Sequence, residues 1–204
     1  MGKRVSVAIT GASGAAYGIR LVECLLKADV QVYLMFSSPA RVVIATETDI
    51  SLPSRPEEIA RFFTNRFSVK DEQLQVFSRE QWMAPVASGS NAPDAMVICP
   101  CSTGTLSAIS SGASRSLIER AADVMLKEGR RLIVVPREAP YSAIHLENML
   151  KLSKLGVTIL PASPGFYHKP ESVADMVDFV VARILDQLKI EQTLAPRWGA
   201  SVDD

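Results

Sequence analysis

Four short stretches of this chain hold residue types that grip anions and move protons. The first is Thr10-Gly11-Ala12-Ser13-Gly14-Ala15, where small residues let the backbone close on an anion and a following helix start would offer unpaired amides. Its spacing is not the dinucleotide fingerprint, and a tight glycine turn of the kind common in α/β chains explains it equally well. The second, Cys99-Pro100-Cys101-Ser102-Thr103-Gly104-Thr105, sets three hydroxyls and a glycine at a helix start; an anion cradle uses all of them, a simple N-cap only one. Ser37 and Ser38 add hydroxyls at another strand end, in a binding or a turn role. The third is Pro136-Arg137-Glu138-Ala139-Pro140, where a guanidinium could clamp a phosphate in two-point fashion and a carboxyl could handle its proton, against a plain surface ion pair. In the fourth, residues 161–170, Phe166, Tyr167 and His168 could cover a flat ring or an allyl group and Lys169 could meet an anion, or the loop could pack on a neighbouring helix. No Ser, His and Asp set is placed for a hydrolase triad.

These loops need strands and helices to hold them. Val5 to Thr10 is an apolar, β-branched run ending at Gly11, and Ala15 to Ala28 places Ile19, Val22, Leu25 and Leu26 at helical spacing. Val30 to Phe36 reads as a second strand, completing a βαβ unit with a right-handed crossover. Ala95–Cys99, Leu132–Val135 and Val157–Leu160 are further short apolar strands, with Leu74–Phe77 a weaker one. Helices are predicted over Thr103–Ser111, Leu117–Lys127, Ser142–Leu155 and Glu171–Leu188. The last carries Val173, Met176, Val177, Val180, Val181, Ile184 and Leu188 on one wide face, read as core or as a subunit interface. Asp49 to Pro56 reads as a loop and Arg197 to Asp204 as a tail. The expected fold is α/β: an open, mostly parallel sheet of five or six strands with helices on both faces, Rossmann- or flavodoxin-like, in a single domain over 1–204. In such sheets ligands bind outside the carboxyl ends of the strands, where all four stretches fall.

Composition narrows the function. The 22 basic and 22 acidic residues cancel, so no basic footprint for nucleic acid or an anionic membrane is present. The apolar stretch at the N-terminus is too short for a span and lacks a cleavage pattern, which points to the cytoplasm. Cys24, Cys99 and Cys101 are not spaced as a disulfide framework, and Cys99 with Cys101 would need His145 and His168 to complete a zinc site; structural thiols and no metal are expected.

Taken together, Gly11 to Gly14, Ala45 to Asp49, Ala87 to Ser90, Cys99 to Thr105, Ile118 to Val124, Pro136 to Pro140, Gly165 to His168 and Pro196-Arg197-Trp198 resemble, in order and over nearly the whole chain, the UbiX-type flavin prenyltransferases. The resemblance implies joining of a dimethylallyl group from dimethylallyl monophosphate to N5 and then C6 of reduced FMN, without metal. It implies prenylated FMN as product, passed to a UbiD-type decarboxylase, and a homo-oligomer of twelve subunits. Carried over residue by residue, it assigns FMN to Gly11, Ala12, Ser13, Ser37, Ser102, Thr103, Gly104, Thr105 and Arg137. It assigns the donor phosphate to Lys127, Arg137, Glu138, Tyr167 and Arg183, some from a neighbouring subunit, proton movement to Ser13 and Glu47, and the allyl side to Trp198.

Chemistry agrees with those roles: breaking the allylic C–O bond leaves an allyl cation and a phosphate dianion, and cationic side chains stabilise the anion as it forms. No Asp-rich motif for a magnesium diphosphate occurs. Plainer readings stand beside these: Lys127 near a helix C-terminus is favourable in any case, Arg183 could edge its helix, and Glu47 could be a surface carboxylate. Two other functions compete. A cysteine-decarboxylase relative would carry a His where Ala40 to Ile44 stands and an Asn loop where Ser102 to Thr105 stands, and a flavin carrier would bind without turnover.

Overall fold

The computed structural model describes residues 2–195. Six strands, β1 (Arg4–Ile9), β2 (Gln31–Phe36), β3 (Leu74–Phe77), β4 (Ala95–Cys101), β5 (Arg131–Pro136) and β6 (Thr158–Ile159), pair in parallel in the order β3-β2-β1-β4-β5-β6. Among the described residues, seven α-helices cover the two faces: α1 (Ala15–Lys27), α2 (Ser38–Glu47), α3 (Pro56–Phe67), α4 (Thr103–Ser110), α5 (Leu117–Lys127), α6 (Ala143–Lys154) and α7 (Val173–Leu188). The chain order reverses direction across the sheet between β1 and β4, so the two strands part their following loops and leave a crevice there.

The central strands are buried on both faces, which is why they read as continuous apolar runs. Val5, Val7 and Ile9 face one core with Leu21, Leu25, Phe63, Val181 and Ile184, while Ala8, Met35, Ile98 and Val134 face the other with Leu106, Leu117, Ala121 and Leu152. Each such Val, Leu, Ile, Met or Phe side chain contributes about 1.5–3 kcal/mol through removal from water.

Several expectations are refined. Strand β4 runs through Pro100 to Cys101 rather than stopping at Cys99, so both thiols are fully buried in the sheet and only Ser102 to Thr105 form the loop and helix start. Helix α3 went unassigned from periodicity; Ile59, Phe63, Thr64 and Phe67 are buried on it with Ala60 and Phe62 packed beside them, and Pro56, Glu57 and Glu58 open it. On α7, Val180, Val181, Ile184 and Leu188 enter the core, but Val173, in its first turn, is 77% exposed. The bidentate pair of Arg20 with Asp178 (2.7 and 3.1 Å) holds α7 to α1. Among the described residues no helix is long and apolar enough to cross a membrane.

One residue ties the two sides of the crevice. Thr10, 1% exposed just past β1, donates its hydroxyl to the Pro100 carbonyl (2.8 Å) and accepts the Ser102 amide (2.7 Å). Thr10→Val keeps the shape but strips the Ser102 amide of its partner. Urea denaturation is expected to report a loss of about 1–3 kcal/mol with an unchanged slope, and a Thr10→Ser protein close to the parent.

Candidate active site

The crevice is built from helix starts. At the first, Gly14 sits at φ 104°, a left-handed conformation that strains any other side chain, and having no side chain it leaves the start of α1 uncapped. The cap arrives from elsewhere: Oε2 of Glu47, the last residue of α2, accepts the Gly14 amide (2.8 Å) and the Ala15 amide (3.0 Å). Ser13 interacts with the same carboxylate through its hydroxyl, and Arg137 Nε donates to the Ser13 carbonyl (3.2 Å). Partial burial works to raise the Glu47 pKa, but the Ser13 hydroxyl, the two amides and the charge of Arg137 outweigh it and hold the carboxyl below the usual glutamate range. Ser13, Glu47 and Arg137, expected from three separate segments, are thus brought together. Gly11 leaves no room for a side chain, because a Cβ there would lie 2.5 Å from the Pro39 ring.

The second group of expected residues forms a hydroxyl cradle. Ser37 caps α2, accepting the Ala40 amide (3.3 Å), and Ser102 caps α4, accepting the Thr105 amide (3.3 Å) and sharing a proton with the Thr105 hydroxyl (3.0 Å). Thr103 and Gly104 supply first-turn amides that no intrahelical carbonyl can reach, and a Cβ on Gly104 would meet nothing within 4 Å, so the cradle is open above them. This set of donors suits a phosphate monoester, and the glycine-floored crevice beside it suits a flat ring; FMN fits both.

The donor-phosphate group is only partly assembled. Glu138 stands beside Arg137 and accepts the Ala139 amide (3.1 Å). Tyr167 and Arg183 share a cavity of about 600 Å³ along α7, where Arg183 pairs with Asp186 (2.6 Å) and Tyr167 packs edge-on to Phe179. Lys127 is elsewhere. It ends α5 ahead of β5, whereas Arg137 follows β5, and a strand of this length separates its two ends by about 20 Å. There Lys127 pairs with Glu128 (2.5 Å). Within one chain Lys127 therefore does not join Arg137 and Glu138. Trp198 lies outside the described residues.

Two residues missed by sequence reasoning border Arg137. Burial, then the Cys99 thiol, pushes the Tyr17 phenol up against the opposing charge of Arg137. Burial, then Glu138, pushes the Tyr141 phenol up, again opposed by Arg137. The signals were their positions, three residues after Gly14 and four after Arg137. Among the described residues, no three His, Cys, Asp or Glu side chains converge as a metal site.

Comparison with known proteins adds to this geometry. Residues 1–185 match the flavoprotein family. The chain is 60% identical over 197 residues to flavin prenyltransferase UbiX of Pseudomonas aeruginosa, covering 97% of this chain and 94% of the relative, and 50% identical to its counterpart from Halalkalibacterium halodurans, covering 98% and 95%. Among solved structures, a dodecameric FMN-dependent UbiX-like decarboxylase from Escherichia coli O157:H7 superposes with TM-score 0.85 at 41% identity, covering 97% of this chain and all of that one. A UbiX protein in complex with FMN and dimethylallyl pyrophosphate superposes with TM-score 0.86 at 39% identity, covering 98% and 100%.

Because the native pKa of Glu47 lies below its unfolded value, the charged cap stabilises the fold above the ordinary glutamate range, near pH 4.3, and that stabilisation is lost as pH falls through the native value. Glu47→Ala is expected to cost about 1 kcal/mol at pH 7 and Glu47→Gln less, since its carbonyl still accepts the amides. Stability measured from pH 7 to 3 should show wild type and Glu47→Gln converging at the acid end; parallel curves would exclude a charge contribution.

Proposed function

The chain belongs to the UbiX family of flavin prenyltransferases, and on that premise we propose that it transfers a dimethylallyl group from dimethylallyl monophosphate to N5 and C6 of reduced FMN. The observation that carries this reading is the convergence of Ser13, Glu47 and Arg137 beside the Ser37 and Ser102–Thr105 cradle. Reduced FMN, when bound, supplies the nucleophilic nitrogen and carbon. The chain's own residues bind, orient and ionise the donor. Arg137 and, from a neighbouring copy, Arg183 hold the donor phosphate and stabilise its growing charge as the allylic C–O bond breaks, and Tyr167 of that copy adds a hydrogen bond. Glu138 carries the proton that eases departure of the phosphate, while Glu47, kept ionised, orients Ser13 for proton movement at the flavin. Trp198 shields the allyl cation. No metal takes part, since the guanidinium groups meet the charge of a monophosphate.

Lys127 serves a neighbouring copy's site, because its own Arg137 lies a strand's length away. A homo-oligomer, of twelve as in the E. coli relative, supplies that neighbour, and the exposed Ile144, Leu146 and Leu150 of α6 offer apolar surface for it. We assign the whole of 1–204 to one flavin-binding domain working in the cytoplasm, without nucleic acid or membrane partners. Its product, prenylated FMN, passes to a UbiD-type decarboxylase. Against the cysteine-decarboxylase alternative stand the absence of His from Ala40 to Ile44 and the hydroxyl run in place of an Asn loop.

Anaerobic incubation of the protein with reduced FMN and dimethylallyl phosphate should yield flavin heavier by one five-carbon prenyl unit on mass spectrometry, with or without EDTA. Unaltered flavin from folded, FMN-loaded protein would shift the assignment to the decarboxylase or carrier. Glu138→Gln and Tyr167→Phe should each slow transfer at least tenfold while FMN affinity stays unchanged; full activity in both would remove them from the mechanism.

A further inference from the structure

On the flavin-binding reading, the phosphate end of FMN lies along the carboxyl edge of the sheet. A cavity of about 300 Å³ opens there, between the ends of β2 and β3 and the starts of α4 and α5. Two of its walls are Ser37 and Thr105, already placed in the hydroxyl cradle. Two further lining residues are new: Ser116, the cap of α5, and Arg79, just beyond β3.

The cavity is electropositive by construction. Helices α2, α4 and α5 all begin at it, each bringing first-turn amides and the positive end of its dipole. The hydroxyls of Ser37 and Ser116 already accept the Ala40 and Glu119 amides (both 3.3 Å), so each keeps its own proton to donate outward. The backbone of Arg79 is fixed, its carbonyl accepting the Leu117 amide (2.8 Å), which locks the loop after β3 to the start of α5. Its guanidinium makes no ion pair among the described residues. The one carboxylate in the wall, Glu119, is engaged by the Arg115 amide (2.7 Å) and guanidinium (3.8 Å). A dianion placed here would meet a guanidinium and several hydrogen-bond donors, with Glu119, the carboxylate among the described lining residues, already engaged.

The span matches the ligand. Strand β2 lies three places from β5, about 14 Å at ordinary strand spacing. A molecule with its ring at Arg137 and its phosphate at Ser37 would lie extended across the switch point, over the Gly11 turn and the start of α4. We propose that Arg79 and Ser116 complete the phosphate site of the flavin, reading its phosphate monoester dianion and so setting this chain's preference for FMN over riboflavin.

The test is titration of the flavin-free protein with FMN and, separately, with riboflavin, which differs only in lacking the phosphate, followed by flavin fluorescence. Wild type should bind FMN far more tightly than riboflavin, with the advantage shrinking at high salt. Arg79→Ala should weaken FMN binding about tenfold or more and Ser116→Ala by a smaller factor, both leaving riboflavin binding unchanged, and Arg79→Lys should fall between Ala and wild type. Riboflavin binding reports in the same experiment that each variant is folded. Should Arg79→Ala not fold, the ratio of the two affinities in Arg79→Lys and Ser116→Ala decides the matter. FMN affinity equal to wild type in the Arg79 variants, or parallel loss of both flavins, would overturn the assignment. Wild-type protein that binds neither flavin would instead overturn the flavin reading itself.

Discussion

The site depends on the buried hydroxyl of Thr10. It stands where the sheet reverses its winding, and there the loops after β1 and β4 must diverge, one feeding a helix on each face. Divergence opens a crevice but also leaves backbone groups at the strand ends without ladder partners, a cost that burial magnifies. Thr10 answers this by accepting the Ser102 amide on its hydroxyl and by reaching the Pro100 carbonyl with both that hydroxyl and its own amide (3.2 Å), which fixes the Gly11 turn relative to the Ser102 cap. The neighbouring strand ends are laced the same way: the Ser37 amide reaches the Ile9 carbonyl (3.0 Å), and the Ala162 amide the Pro136 carbonyl (3.2 Å). Loops held to one another in this way can present donors at fixed separations, which is what recognition of a rigid ring and a phosphate requires.

A chain with no net charge nonetheless builds strong local fields along that edge. The means is helix geometry rather than composition: α1, α2, α4 and α5 all begin there. One of these positive ends is neutralised internally, because Glu47 occupies the start of α1. The starts of α2 and α4 are capped only by neutral hydroxyls and keep their appetite for an external anion. The division is physically sensible. A phosphate at α1 would have to displace a carboxylate held by two amides and flanked by Arg137, whereas at the hydroxyl cradle it displaces only water.

Local pattern carried most of this architecture. Runs such as Val5 to Thr10 and Ala95 to Cys99 are apolar because both faces of a parallel sheet are buried, so the strands were legible together with the crevice at their carboxyl ends. What escaped depended on contacts distant in sequence or on weak local signals. Helix α3 buries Ile59, Phe63, Thr64 and Phe67 with Phe62 packed beside them, a helical spacing that was present in the sequence but interrupted by Glu57, Glu58, Arg61, Asn65 and Arg66. The extension of β4 through Pro100 relies on its pairing with β5, which a proline in isolation argues against. Glu47 was singled out by resemblance alone, and its tie to Gly14, 33 residues away, had no local signature. The separation of Lys127 from Arg137 follows simply from element order, since a helix preceding a strand ends at the strand's opposite edge.

That last geometry bears on why such a chain would work as an assembly. The carboxyl edge of one protomer gathers the groups suited to flavin and, through Arg137 and Glu138, to one side of the donor phosphate. Tyr167 and Arg183 face a separate cavity down α7, and Lys127 lies at the far edge of the sheet. No rotation of side chains closes a gap of about 20 Å, because a lysine extends only a fraction of that distance. A second copy can close it by docking its far edge against this crevice, and the same contact would cover apolar side chains such as Ile144 and Leu150 that the protomer leaves in water. Exclusion of water at that junction would strengthen every charge interaction there and protect an allyl cation from hydrolysis. Assembly and chemistry would then rest on one interface, and an incomplete set of phosphate ligands in the protomer would be the form such a division takes.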